Sequence, residues 1–171
     1  AVDLEELADY LEQTEIDDYT KNEAKALLNY GSLSQDQRVV LSVFALLNKV
    51  GWDVSEPEIE ALLIKVVSDK RTSSEILSSL ISQNIVKRNN SKIIFANPIY
   101  QSLILDEINQ EIRNRTFSIL ADHLSGKNAS QEQILYFRAR ERDDNTSVLW
   151  DLAKIQRQNL HPHDAQETLA L

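Results

Sequence analysis

Residues 72–98, TSSEILSSLISQNIVKRNNSKIIFANP, decide how this chain folds. Thr72 or Ser73 is suited to cap a helix with Glu75 in its first turn, and Ile76, Leu77, Leu80 and Ile81 recur at helical spacing. Asn84 supplies a left-handed stop. Ile85 and Val86 then enter a strand, Lys87-Arg88-Asn89-Asn90-Ser91-Lys92 supplies turn chemistry, and Ile93, Ile94 and Phe95 return. The spacing predicts a short hairpin lying against the helix that it follows.

Upstream, Ser34 with Gln37 three residues later forms a capping box, and Val39, Val40, Leu41, Val43, Phe44, Leu46 and Leu47 follow as far as Gly51. Apolar residues occupy most of that helix's circumference, which predicts a central core element. Trp52 and Val54 form a short extended link. Ser55-Glu56-Pro57-Glu58 opens a second helix with Pro at an early position, burying Ile59, Leu62, Leu63 and Val66, and residues 68–71 turn into the third helix. Helix, link, helix, turn, helix, hairpin is the order of a winged helix, predicted over residues 34–97. Residues 1–33 form a helical lead-in: an amphipathic helix over 3–13, a break at Asp17-Asp18, and a helix over 20–30 with Ala24, Leu27 and Leu28, stopping at Gly31.

Downstream of Pro98 the pattern is wholly helical. Residues 99–105 and 108–124 read as one long or kinked element ending near Gly126. Ser130 to Gln133 opens another helix through Ile134, Leu135, Tyr136 and Phe137. Asp143 to Thr146 is a tight turn, Val148, Leu149, Trp150, Leu152, Ala153 and Ile155 form a partner helix, and residues 161–164 begin one more. Paired helices joined by short polar turns make residues 98–171 a solenoid-like arm that reads as the start of a longer array. The predicted fold class is mainly α, a winged helix followed by a helix array.

Composition limits the chemistry. With only 3 Gly, standing apart at 31, 51 and 126, no phosphate-cradling glycine loop exists, so the chain is not expected to bind ATP unaided. The absence of Cys excludes disulfides, thiolate zinc sites and a cysteine nucleophile, and suits a reducing cytosol. No apolar run reaches the length of a membrane span. The net charge of −9 is uneven: residues 1–60 hold 14 acids and 4 bases, the rest 13 and 14, so the first third repels phosphate. That acidic stretch is a solvated helical surface or an acidic docking face.

A winged helix that reads DNA needs cations on its third helix and wing. Here the third helix presents Ser73, Ser74, Ser78, Ser79, Ser82 and Gln83 with no Lys or Arg after Arg71. Lys87, Arg88 and Lys92 reach a phosphate or two at most, a grip lost at physiological salt. The sequence therefore disfavours DNA and points to protein partners. His161-Pro162-His163 is not a metal site, since two His at i, i+2 across a Pro do not share a helical face and no third ligand completes them. His123, on an apolar stretch, reads as a packed, hydrogen-bonded imidazole. The pairs Asp17-Asp18 and Asp143-Asp144 lie in polar turns, where burial does not raise a carboxyl pKa. No nucleophile, base and orienting group come together, which predicts a protein that is not an enzyme. Tyr136 and Trp150 face one another across two helices and pack together, and Arg138, Arg140 and Arg142 beside Phe137 form a candidate partner groove with Tyr136.

The succession Leu33-Ser34, Gln37-Arg38, Leu41, Phe44-Ala45, then Phe95-Ala96-Asn97-Pro98-Ile99-Tyr100-Gln101, then Arg113, Phe117, Leu120-Ala121 and Leu124 resembles the winged-helix region and following arm of multidomain signal-transduction NTPases of the STAND class. Tyr136-Phe137-Arg138-Ala139, Asp143-Asp144, Leu152-Ala153 and His163-Asp164-Ala165 to Leu169 look like the first tetratricopeptide-like units of such a sensor, so the resemblance covers about residues 33–171. It implies a regulatory segment that couples the sensor to an upstream nucleotide-binding domain. ATP or ADP belongs to that domain, with no cofactor in this chain and a cytoplasmic setting without membrane contact. In that family the residue before the Pro after the wing is often a His that reports on the nucleotide's phosphates; Asn97 holds that place here. Its amide can donate to a phosphate without the imidazole's positive charge, or simply satisfy the backbone at a strand-to-helix junction. The rival reading is a winged-helix DNA-binding regulator.

Overall fold

The computed structural model describes residues 20–141, 146–159 and 162–170. The fold is mainly helical with one two-stranded antiparallel sheet. Helix α1 covers 20–28, followed by a 3-10 turn at Tyr30–Ser32, α2 (Gln35–Lys49), α3 (Glu56–Val67) and α4 (Lys70–Ser82). Strands β1 (Val86–Asn89) and β2 (Lys92–Phe95) form the hairpin, and α5 (Ile99–Asp106), α6 (Gln110–Ser125), α7 (Gln131–Arg140), α8 (Thr146–Gln158) and α9 (Pro162–Leu169) complete the chain. The expected helix over 3–13 and the turns at Asp17-Asp18 and Asp143-Asp144 lie outside the described residues.

Helix α2 is the hub. The Ser34–Gln37 capping box opens it, with each side chain satisfying the other residue's N–H, and every residue from Val39 to Leu47 is buried. It ends in a Schellman motif: Gly51 adopts φ 69°, its N–H donates to Asn48 O at 3.0 Å, and Trp52 N–H donates to Leu47 O at 2.9 Å. Asn84, at φ 56°, ends α4 by the same device, with Ile85 N–H on Leu80 O. Only the left-handed region closes such a turn, so a small or amide side chain stands at both places.

Four expected boundaries move. Helix α4 begins at Lys70 and not at Thr72 or Ser73, because Ser68 takes a left-handed φ of 63° and Asp69 caps the new helix, its carboxylate accepting Thr72 N–H at 2.7 Å. The turn at the hairpin tip is two residues, Asn90-Ser91, since Asn89 already pairs with Lys92, so Lys87 and Arg88 lie within the ladder. The expected long helix after Pro98 is two: Glu107 closes α5, and the Asn109 side chain accepts Ile112 N–H at 3.0 Å to open α6. In the lead-in, the helical stop is Asn29 at φ 46° in place of Gly31. Leu27 is 71% exposed, because Ala24 and Leu28, one turn apart, form the buried face.

The link before α3 adds to the hairpin. Ser55 bridges Lys92, and Glu56 N–H donates to Ser91 O at 2.8 Å. Val86, Ile93 and Phe95 point inward, and Phe95 meets Phe44 edge to face. One hydrophobic core then runs without interruption from Ala24 to Phe137, so Ile104, Ile112, Phe117, Leu120, Leu124 and Phe137 of the arm pack into the same interior as α2–α4. Helices α8 and α9 lie beyond it. Helix α8 packs on α7 and α9 packs on α8, with Ala139, Leu152, Ala153 and Ala165 buried, and the buried Thr168 hydroxyl of α9 donates to Gln156 Oε1 of α8 at 2.8 Å.

Candidate functional site

The junction between the α2–α4 body and the arm carries the densest set of polar contacts. Glu58 on α3 and His123 on α6 meet across it, Nε2 lying 2.7 Å from Oε1, with side chains only 16% and 8% exposed. Trp52 Nε1 donates to the same carboxylate oxygen at 3.2 Å. Burial pushes the Glu58 carboxyl up, but hydrogen bonds from His123 and Trp52 and the nearby charge of His123 and Lys127 outweigh it and hold it below the usual glutamate range. His123 is thus the packed, hydrogen-bonded imidazole that its apolar setting implies.

Three further side chains reach across the same seam. Arg115 of α6 reaches Asp36 at the start of α2, at 2.9 Å, and the Val66 carbonyl near the end of α3. Gln35 donates to Glu111, and Gln133 of α7 donates to Val50 O at 2.9 Å where α2 ends. The arm is therefore tied at both ends of α2 and both ends of α3. Sequence reasoning missed these ties because their partners lie 49 to 83 residues apart, and no local pattern marks such pairs.

Asn97 is engaged locally. Its Oδ1 accepts Ile99 N–H at 3.1 Å and its carbonyl accepts Tyr100 N–H at 3.0 Å, which starts α5 after Pro98. At the hairpin, Arg88 donates to Glu56 at 2.8 Å and Lys92 pairs with Asp53, both acids belonging to the segment that enters α3. Among the described residues Lys87 alone of the three hairpin cations has no ion pair. The hairpin is thus largely neutralised by its own body.

The expected groove residues separate. Phe137 is wholly buried, set edge to face against Phe117 and Tyr136, so it belongs to the core. Arg138 is turned to Asp122 and Glu141; burial alone lowers its pKa, but these two carboxylates outweigh that and hold the guanidinium above its usual range. Tyr136 instead lines a cleft with Arg140, away from Arg138. Trp150, 60% exposed, makes no ring contact with Tyr136 among the described residues. His161 lies outside the described residues, and among those described no group of His, Cys, Asp or Glu can hold a metal. None of the described helices is long and apolar enough to cross a membrane.

No family model, curated protein or solved structure matches this chain.

Proposed function

We propose that this chain is a non-catalytic coupling segment, a winged helix continued into a solenoid-like arm, that carries the state of a helical-repeat sensor to a nucleotide-binding domain of the STAND class. The observation that carries the reading is the seam: a shared core and four polar ties across it make the body and α5–α7 one mechanical unit. A push on the arm is then delivered at α2–α4 with little lost in bending, since packed interiors deform by switching and not by yielding. Residues around Asn97 to Tyr100 mark where the whole unit would pivot against a nucleotide-binding partner, wing and arm moving together.

The Asn97 side-chain oxygen Oδ1 is already engaged by Ile99 N–H, which supports a role as a helix starter over phosphate sensing; the side-chain amide N–H donors are what a nucleotide-sensing role would use. The paired wing supports a protein partner over DNA. Spin labels at the exposed Ser78 of α4 and Gln131 of α7 test the coupling. A single narrow distance distribution is expected, and a broad or bimodal one in the isolated chain would remove the mechanism.

A further inference from the structure

A cleft of about 450 Å³ opens where the end of α2 meets α7, α8 and α9, lined by Lys49, Glu132, Tyr136, Arg140, Asp164 and Glu167 among others. A second hollow of about 350 Å³ shares Lys49, Tyr136, Arg140 and Glu167 and adds Asp106 and Arg113. Arg140 is common to both. Its Cζ lies 3.9 Å from the centre of the Tyr136 ring, so the aromatic face covers one side of the guanidinium. One N–H donates to the Tyr136 carbonyl at 3.1 Å, and this is its single hydrogen bond among the described residues. A guanidinium has five N–H donors, and in a partly buried position they are normally taken up. Most of those on Arg140 remain available to the cleft.

The surroundings decide what can take them. Burial lowers the Arg140 pKa from its usual range; Arg113 adds to this, while Glu167 and Asp164 act against it without touching the guanidinium. Lys49 and Glu167 are held only loosely, 3.9 Å apart. A pure anion entering this space meets Asp164 and Glu167, and a pure cation meets Lys49 and Arg140. A molecule bearing a carboxylate and an ammonium satisfies both sets, and the volume falls within the range of small-molecule sites. We propose that the cleft binds a small zwitterion of the α-amino-acid class, with its carboxylate on Arg140 and Lys49 and its ammonium on Glu167 and Asp164. Such a ligand would join the end of α2 to α9. The inference does not rest on the coupling reading, since binding needs only the cleft.

Isothermal titration of the whole chain with each of the twenty free amino acids in turn tests it, with inorganic phosphate and methylamine as single-charge controls. At least one amino acid should bind, the controls should not, and Arg140→Lys and Glu167→Gln should each weaken binding by about tenfold or more. Glu167 is exposed, so its variant keeps the fold and decides the matter if Arg140→Lys does not fold. Silence from all twenty at about 10 mM, or equal binding in Glu167→Gln, would overturn the assignment.

Discussion

Replacing Glu58 by Ala should loosen the arm, and the size of the effect follows from the contacts removed. His123 and Trp52 both lose their acceptor, and the imidazole is too deeply placed for water to replace it fully. Both bonds end on the Glu58 carboxylate, and a hydrogen bond to a charged group contributes about 1.5–3 kcal/mol net, less for the longer Trp52 contact at 3.2 Å. The expected loss is therefore about 2–4 kcal/mol, reduced where solvent reaches the 16% of Glu58 that is exposed. A double-mutant cycle of Glu58→Ala and His123→Ala in urea should give a coupling energy of about 1–2 kcal/mol. In a Trp150→Phe background, Trp52 emission should shift to the red in Glu58→Ala as its indole N–H turns to water. The pH dependence has a fixed sign. Because the folded carboxyl titrates below its unfolded value, its contribution is present in full above about pH 4.5 and is lost as pH falls through the folded value. Glu58→Gln should lack that acid limb. Coupling below about 0.3 kcal/mol, with Trp52 emission unchanged, would refute the claim that this pair holds body and arm together.

Two further outcomes follow. Phe137→Ala should destabilise the chain by about 3–5 kcal/mol in denaturant melts, the loss of a fully buried ring, where a groove residue would show an effect near zero. Gly51→Ala meets no atom within 4 Å, so only the left-handed strain at φ 69° acts against it; a loss of about 1–2 kcal/mol is expected, and none would place the end of α2 in another geometry.

Much of the fold was legible because local chemistry carried it. Ser34–Gln37, Ser130–Gln133, Gly51 and Asn84 each state a helix end in a few residues, and the apolar run from Val39 to Leu47, interrupted at Ser42 alone, marks the central helix. Boundaries slipped where two signals stood close together. Asp69 and Thr72 both suit a cap, and which one acts depends on the left-handed turn at Ser68 that no residue type announces. The hairpin's cations looked free in sequence because Asp53 and Glu56 precede them by more than thirty residues, and only the bridge of Ser55 to Lys92 brings the charges together. The groove failed for a related reason: Tyr136, Phe137 and Arg138 are adjacent in sequence, and consecutive helical residues point about 100° apart, one into the cleft, one into the core and one to Asp122.

The claim on which the account turns is that the hairpin's cations are satisfied by the protein itself and do not serve a polyanion. Fluorescence anisotropy of a labelled DNA duplex, titrated with the chain through a salt series, tests it most directly. Binding should be absent at about 150 mM salt and no more than weak below it. A duplex retained at that salt, and released by Arg88→Ala or Lys92→Ala, would contradict it.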